Sequence, residues 1–92
     1  MQYNYNISRI TLNDDSHQLI GEILFPTINN DIVLLEHVFI NPTFEQQGFG
    51  SLLVAEFVKH AIHQKLTVKL LDPFAKLEFA KHPEYQQLLI NE

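Results

Sequence analysis

Apolar and polar positions change period along the 92-residue chain. Residues 2–12, QYNYNISRITL, alternate, with Tyr3, Tyr5 and Ile7 on one face and Asn4, Asn6 and Ser8 on the other. That period of two predicts one half-buried strand. NDDS (13–16) reads as a turn, because Asn and Asp side chains bond to nearby backbone. HQLIGEILFP (17–26) is a second strand ended by Pro26, in which Gly21 marks a bulge or a close backbone approach. After a TINND turn (27–31), IVLLEHVFI (32–40) is nearly continuous in apolar residues, as a central strand covered on both faces would be. Its polar pair, Glu36 and His37, is adjacent and so points to opposite faces.

The period then lengthens. In SLLVAEFVKHAIHQKL (51–66), Leu53, Val54, Phe57, Val58, Ala61 and Ile62 form one broad stripe, which predicts an amphipathic helix of about four turns. TVKLL (67–71) is a fourth strand. DPFAKLEFAK (72–81) predicts a helix with Asp72 as N-cap and Pro73 at the first helical position. HPEYQQLL (82–89) gives a last short helix. The order β-β-β-α-β-α-α predicts an α+β (mixed α/β) fold, in a single domain spanning residues 1–92.

Composition narrows the chemistry. The 46 % apolar and 18 % charged content suits a globular domain. The absence of cysteine removes disulfides, thiolate metal sites and thiol nucleophiles. His17, His60 and His63 read as surface residues; His60 and His63 are three apart, but nothing nearby completes a metal site, and none is predicted. No apolar run is long enough for a signal peptide or a membrane span, so a cytoplasmic location and no membrane partner are the default expectations. The net charge of −5 is uneven: residues 1–50 carry Arg9 alone against six acids, whereas lysines and acids balance from residue 51 onward. An acidic front half argues against a nucleic-acid partner, whose phosphates need Lys and Arg.

The chemistry-bearing stretch lies between the third strand and the first helix. NPTFEQQGFGS (41–51) feeds a strand into a helix through Gly48 and Gly50. A helix N-terminus has unpaired N–H groups and a partial positive charge, and glycines let a phosphate approach the backbone. Taken alone, a G-x-G before a helix is more often a tight structural turn than an anion site. The loop has no P-loop lysine and lacks the first glycine of a dinucleotide fingerprint.

The longer segment HVFINPTFEQQGFGSLLV (37–54) resembles motif A of the GCN5-related N-acetyltransferases, whose pyrophosphate loop reads Q/R-x-x-G-x-G/A. With LLDPF (70–74) and HPEY (82–85), it is similar to the small single-domain branch called the YjdJ type. The resemblance implies a mostly antiparallel sheet with one splayed strand pair, flanked by helices. It also implies acetyl-CoA as co-substrate and a primary amine as acceptor. The pantetheine arm would lie along Val38, Phe39 and Ile40, and the pyrophosphate on the amides of Gln46, Gln47, Gly48, Phe49, Gly50 and Ser51. Phe74 would complete the cofactor site, and the acetyl group would lie where the third and fourth strands part.

Two positions depart from the pattern. Glu45 stands where the motif opens with Arg or Gln, and Asp72 stands where the small branch carries a cysteine before Pro-Phe. A covalent acetyl-cysteine is therefore excluded, and direct transfer remains, with His37 as base and Asp72 orienting it. Tyr85 is a weaker candidate for protonating the leaving thiolate. Set against this enzyme are a CoA-binding domain without catalysis and an interaction domain whose G-x-G is only a turn. Open strand edges allow a monomer or a weak dimer.

Overall fold

The structure is a computed structural model and describes residues 1–90. Seven strands form two sheets: β1 (Gln2–Tyr5), β2 (Arg9–Asn13), β3 (Leu19–Leu24), β4 (Thr27–Asn29), β5 (Ile32–Leu35), β6 (His37–Ile40) and β7 (Thr67–Leu70). Two helices, α1 (Phe49–His63) and α2 (Pro73–Lys81), pack with them, and short 3-10 turns span Pro42–Phe44 and Pro83–Leu88. One sheet runs β1-β2-β3-β6, antiparallel throughout. The other runs β4-β5-β7, with β5 and β7 parallel. The α+β architecture with a mostly antiparallel sheet is thus present, with more strands than the sequence pattern predicts.

The stretch 2–12 is a hairpin rather than one strand: β1 folds back antiparallel on β2. The Asn6 side chain accepts the Ile7 N–H, and Asn6 N–H donates to the Arg9 carbonyl across the turn. Alternation simply continues through the turn residues, and Ile7, expected on a buried face, is 87 % exposed. The next turn is as expected, with Asp14 Oδ1 accepting the N–H groups of Ser16 and Gln18. Gly21 meets both expectations. The β2–β3 register slips beside it, and a Cβ there would lie 2.5 Å from the Phe39 carbonyl oxygen. TINND is only partly turn, since Thr27–Asn29 forms β4 against β5.

The largest correction concerns residues 32–40. They form two strands in two different sheets, neither covered on both faces. In β5 the odd residues Val33 and Leu35 are buried; in β6 the even residues Val38 and Ile40 turn inward. Two alternating strands of opposite phase read as one continuous apolar run. Between them Glu36 N–H donates to the Leu24 carbonyl while His37 pairs with Leu24, so two residues oppose one. This is a β-bulge, which bends the strand and changes its partners.

The helical segments also shift. Helix α1 starts at Phe49, two residues before the expected start, and Ile62 of the expected stripe is half exposed. Asp72 caps α2 through Ala75 N–H at 2.9 Å, with Pro73 in the first turn, as expected. The last element is a 3-10 turn rather than an α-helix. The core joins Ile10, Leu12, Ile20, Ile23 and Phe25 of the first sheet and its exit to Leu53, Val54, Phe57 and Ala61 of α1, with Val68 of β7 and Phe79 of α2. Phe25 and Phe57 meet at a tilt of 56°, with 4.9 Å between ring centres. Among the described residues no helix is long and apolar enough to cross a membrane.

Candidate active site

The site follows from where the bulge sends the chain. β5 stays beside β7, and at its end Leu35 accepts both Leu71 N–H and Asp72 N–H at 3.0 and 3.1 Å. β6 instead joins β3, so β6 and β7 diverge into a cleft. Along β6, Asn41 N–H bonds to the Ile20 carbonyl, which fixes the alternation of the antiparallel ladder. Phe39 and His37 therefore turn their peptide groups to β3, and Val38 and Ile40 turn theirs to the open edge. Val38 and Ile40 are placed for a ligand lying along the strand. Phe39, also expected to hold the cofactor, has its peptide groups engaged with β3 and its side chain on the opposite face of the sheet from Val38 and Ile40.

Beyond β6 the chain tightens. Asn41 holds it by accepting Thr43 N–H and donating to the Leu19 carbonyl, and Pro42 opens the 3-10 turn. Gln46 and Gly48 then take positive φ of 62° and 81°. Gly48 sits at the N-cap of α1 and offers no side-chain cap. The first N–H bonding back into the helix is Leu52, to Gly48, so the amides of Phe49, Gly50 and Ser51 have no partner within the helix. The loop lines a cavity of about 200 Å³ with Ile40, Phe44, Glu45, Gln46, Gly48, Phe49, Gly50, Ser51 and Phe74 around it. A second, of about 280 Å³, adjoins it and runs on to Val38. Together they form a groove from the open edge of β6 to the start of α1.

Gly50 and Phe74 set the groove's width. A Cβ on Gly50 would lie 2.8 Å from Phe74 Cζ, so only glycine allows this approach. Phe49 packs edge-on to Phe44 at 6.1 Å. Gln47 is exposed and lines neither cavity. Glu45 lines both. Sequence reasoning missed two partners here. Phe44 has no signal beyond its apolar character. Glu78, nearly buried, accepts the Ser51 hydroxyl at 2.9 Å, and no spacing rule links positions 27 residues apart.

His37, half exposed, lines neither cavity and shares the outer face of β6 with Phe39; its Nδ1 lies 3.8 Å from Asp72 Oδ2. Asp72 is buried and divides its oxygens. Oδ1 accepts Ala75 N–H, and Oδ2 accepts Val38 N–H at 3.0 Å. Capping and facing His37 thus use different oxygens, and the second oxygen pins β6 across the cleft. Tyr85 stacks on His82 at 4.6 Å and sets its edge to Phe79, which keeps its ring with the C-terminal turn. Burial, with Glu84 and Glu78 nearby, raises its phenol above the ordinary value. His60, expected at the surface, is partly buried between Tyr5 and Phe25, and that burial lowers its pKa.

A strand broken by a bulge, a splayed neighbour and an uncapped glycine loop opening a helix are a specific combination. The sequence model of one family, GCN5-related N-acetyl-transferase, matches residues 9–88. The chain belongs to that family. Solved structures agree on the fold. A GCN5-like protein of Staphylococcus aureus, solved by NMR, superposes with a TM-score of 0.77 at 22 % identity, over 99 % of this chain and 89 % of that one. A Mycobacterium tuberculosis protein in complex with CoA gives 0.66 at 19 % identity, over 83 % and 47 %. N-acetylglutamate synthase of Neisseria gonorrhoeae, complexed with coenzyme A and N-acetyl-glutamate, gives 0.65 at 20 % identity, over 80 % and 18 %. This acetyltransferase chain thus spans less than half the length of the latter two. No curated protein sequence matches it.

Proposed function

We propose that this GCN5-related chain is an acetyl-CoA-dependent N-acetyltransferase whose acceptor is a primary amine, a small amine or a lysine of a protein or peptide. The observation that carries the reading is the continuous groove from the open edge of β6 to the uncapped amides of α1. The residues present fit the co-substrate: the unpaired amides suit a diphosphate, and glycine at position 50 keeps the cradle open against Phe74. Glu45 is unfavourable beside an anion, but it is exposed and therefore screened over about 8 Å at physiological salt.

The thioester would supply the acetyl group: the amine nitrogen forms the new C–N bond as the C–S bond breaks, and CoA leaves as its thiolate, to be protonated to the free thiol. The chain's own task is to take the amine's proton and to hold both reactants at the cleft. His37 is the base: it carries an imidazole on β6, half exposed and so open to an incoming amine. Asp72 faces its Nδ1 at 3.8 Å, while its hydrogen bonds go to backbone. Of the two N–H groups on the open edge, that of Val38 is engaged by Asp72. Ile40 is left as the strand's donor to the arm of the cofactor.

The test is CoA release with a panel of primary amines, wild type against His37→Ala. We expect acetyl-CoA turnover that falls by about 10²- to 10⁴-fold in the variant while cofactor affinity holds. Binding without turnover on any amine would instead favour a CoA-binding domain that has lost catalysis. The observation on that side is Asp72, a carboxylate committed to two backbone donors.

A further inference from the structure

Between Arg9 and Lys59 the chain has no lysine or arginine, so the loop at 46–51 brings no cation of its own to a phosphate. Two carboxylates stand close instead: Glu45 in the groove wall and Glu78 behind Ser51. A lysine stands nearby on α2. One face of that helix runs along the start of α1, with Phe74 against Gly50 and Glu78 one turn on, accepting the Ser51 hydroxyl. The next turn brings Lys81, whose Nζ lies 3.8 Å from Glu78 Oε1, the same oxygen that bonds Ser51. His82 Nε2 approaches the other oxygen at 3.6 Å. The Glu78 side chain is buried, whereas that of Lys81 is 69 % exposed, so a buried carboxylate anchors an exposed cation.

We propose that Lys81, tethered through Glu78 beside Ser51, is the cation that meets a phosphate group of coenzyme A. This assignment rests on the proposed function, because it requires the cofactor's phosphates at the loop. Phe74, Glu78 and Lys81 follow one another along α2, so the lysine stands past Ser51 from the Phe74 end of the groove. It is a point charge on a flexible stem, suited to a phosphate in more than one pose. Glu78 has a second effect: it holds Ser51 by its hydroxyl and leaves the Ser51 amide to the ligand.

Calorimetric titration of the full chain with coenzyme A and with dephospho-CoA tests the assignment, using Lys81→Gln and, as a charge-matched control on the same helix, Lys76→Gln. Both lysines are exposed, so both variants keep the fold. The expected result is a Kd for coenzyme A about 3- to 10-fold higher in Lys81→Gln and unchanged in Lys76→Gln. Equal weakening of both ligands places the contact on the diphosphate; weakening of coenzyme A alone places it on the 3′-phosphate. Either supports the assignment. Unaltered binding in Lys81→Gln, or an equal loss in Lys76→Gln, overturns it and leaves the proposed function standing. A wild-type chain that binds neither ligand overturns both.

Discussion

Replacing Asp72 separates its structural work from any part in catalysis. Its carboxylate accepts Ala75 N–H with one oxygen and Val38 N–H with the other, at 2.9 and 3.0 Å, and is buried. Asp72→Ala deletes a helix N-cap, a loss of about 1 kcal/mol, and a charge-assisted bond to a backbone donor, about 1.5 to 3 kcal/mol. The Val38 N–H lies on the cleft's edge, where water recovers part of that second loss. The sum is roughly 2 to 4 kcal/mol of stability. Asp72→Asn keeps an oxygen for the cap but turns an amide donor toward the Val38 donor, so about half the loss is expected, roughly 1 to 2 kcal/mol. Urea unfolding followed by circular dichroism measures both, and hydrogen exchange at Val38 and Ala75 assigns them. An Asp72→Ala variant within about 0.5 kcal/mol of wild type, an ordinary surface effect, would refute the division of labour. So would equal losses in the two variants.

Three further outcomes follow from the geometry. Gly21→Ala drives a Cβ to 2.5 Å from the Phe39 carbonyl oxygen, a backbone atom, and should cost about 1 to 3 kcal/mol in the same unfolding assay; a neutral result contradicts the close packing of β3 and β6. Gly50→Ala meets the ring of Phe74, which is partly exposed and can turn aside, so stability should change little while coenzyme A affinity drops; the reverse pattern argues against the groove. His60 should titrate below the ordinary 6.5 by NMR, chiefly through burial, with His63 adding to the shift and Glu56 opposing it. Its folded state binds fewer protons than its unfolded state, so its contribution to stability is complete above that ordinary value. The contribution is lost as pH falls through 6.5 toward the lowered value, and a measured pKa at or above 6.5 refutes this.

How far the sequence led depends on whether the deciding interactions are local. The Asp14 turn and the Asp72 cap are bonds between near neighbours, and composition announces them. The α1 stripe is legible because one helix face meets one core. The hairpin at Asn6–Ser8 is hidden, since alternation runs unbroken through it. The break at Glu36 is hidden for a related reason. Two strands of opposite phase look apolar throughout, and only the partner strands reveal the exchange. At the site, His37, Asp72 and the glycine loop come from motif order. The tie from Asp72 to Val38 and the Ser51–Glu78 bond join positions far apart in sequence, and no local pattern encodes them.

The bulge at Glu36 works as arithmetic rather than as chemistry. Its side chain is exposed, and what the fold uses is the extra count it adds between Leu35 and His37. Exchanging it for another residue keeps the count. Removing it would shift β6 by one position, turning Val38 and Ile40 outward and presenting the groove with the peptide groups of His37 and Phe39. The chain would then carry every side chain of its site and still hold them out of step with the loop. The letter at position 36 is free to change, because the groove is specified by a number.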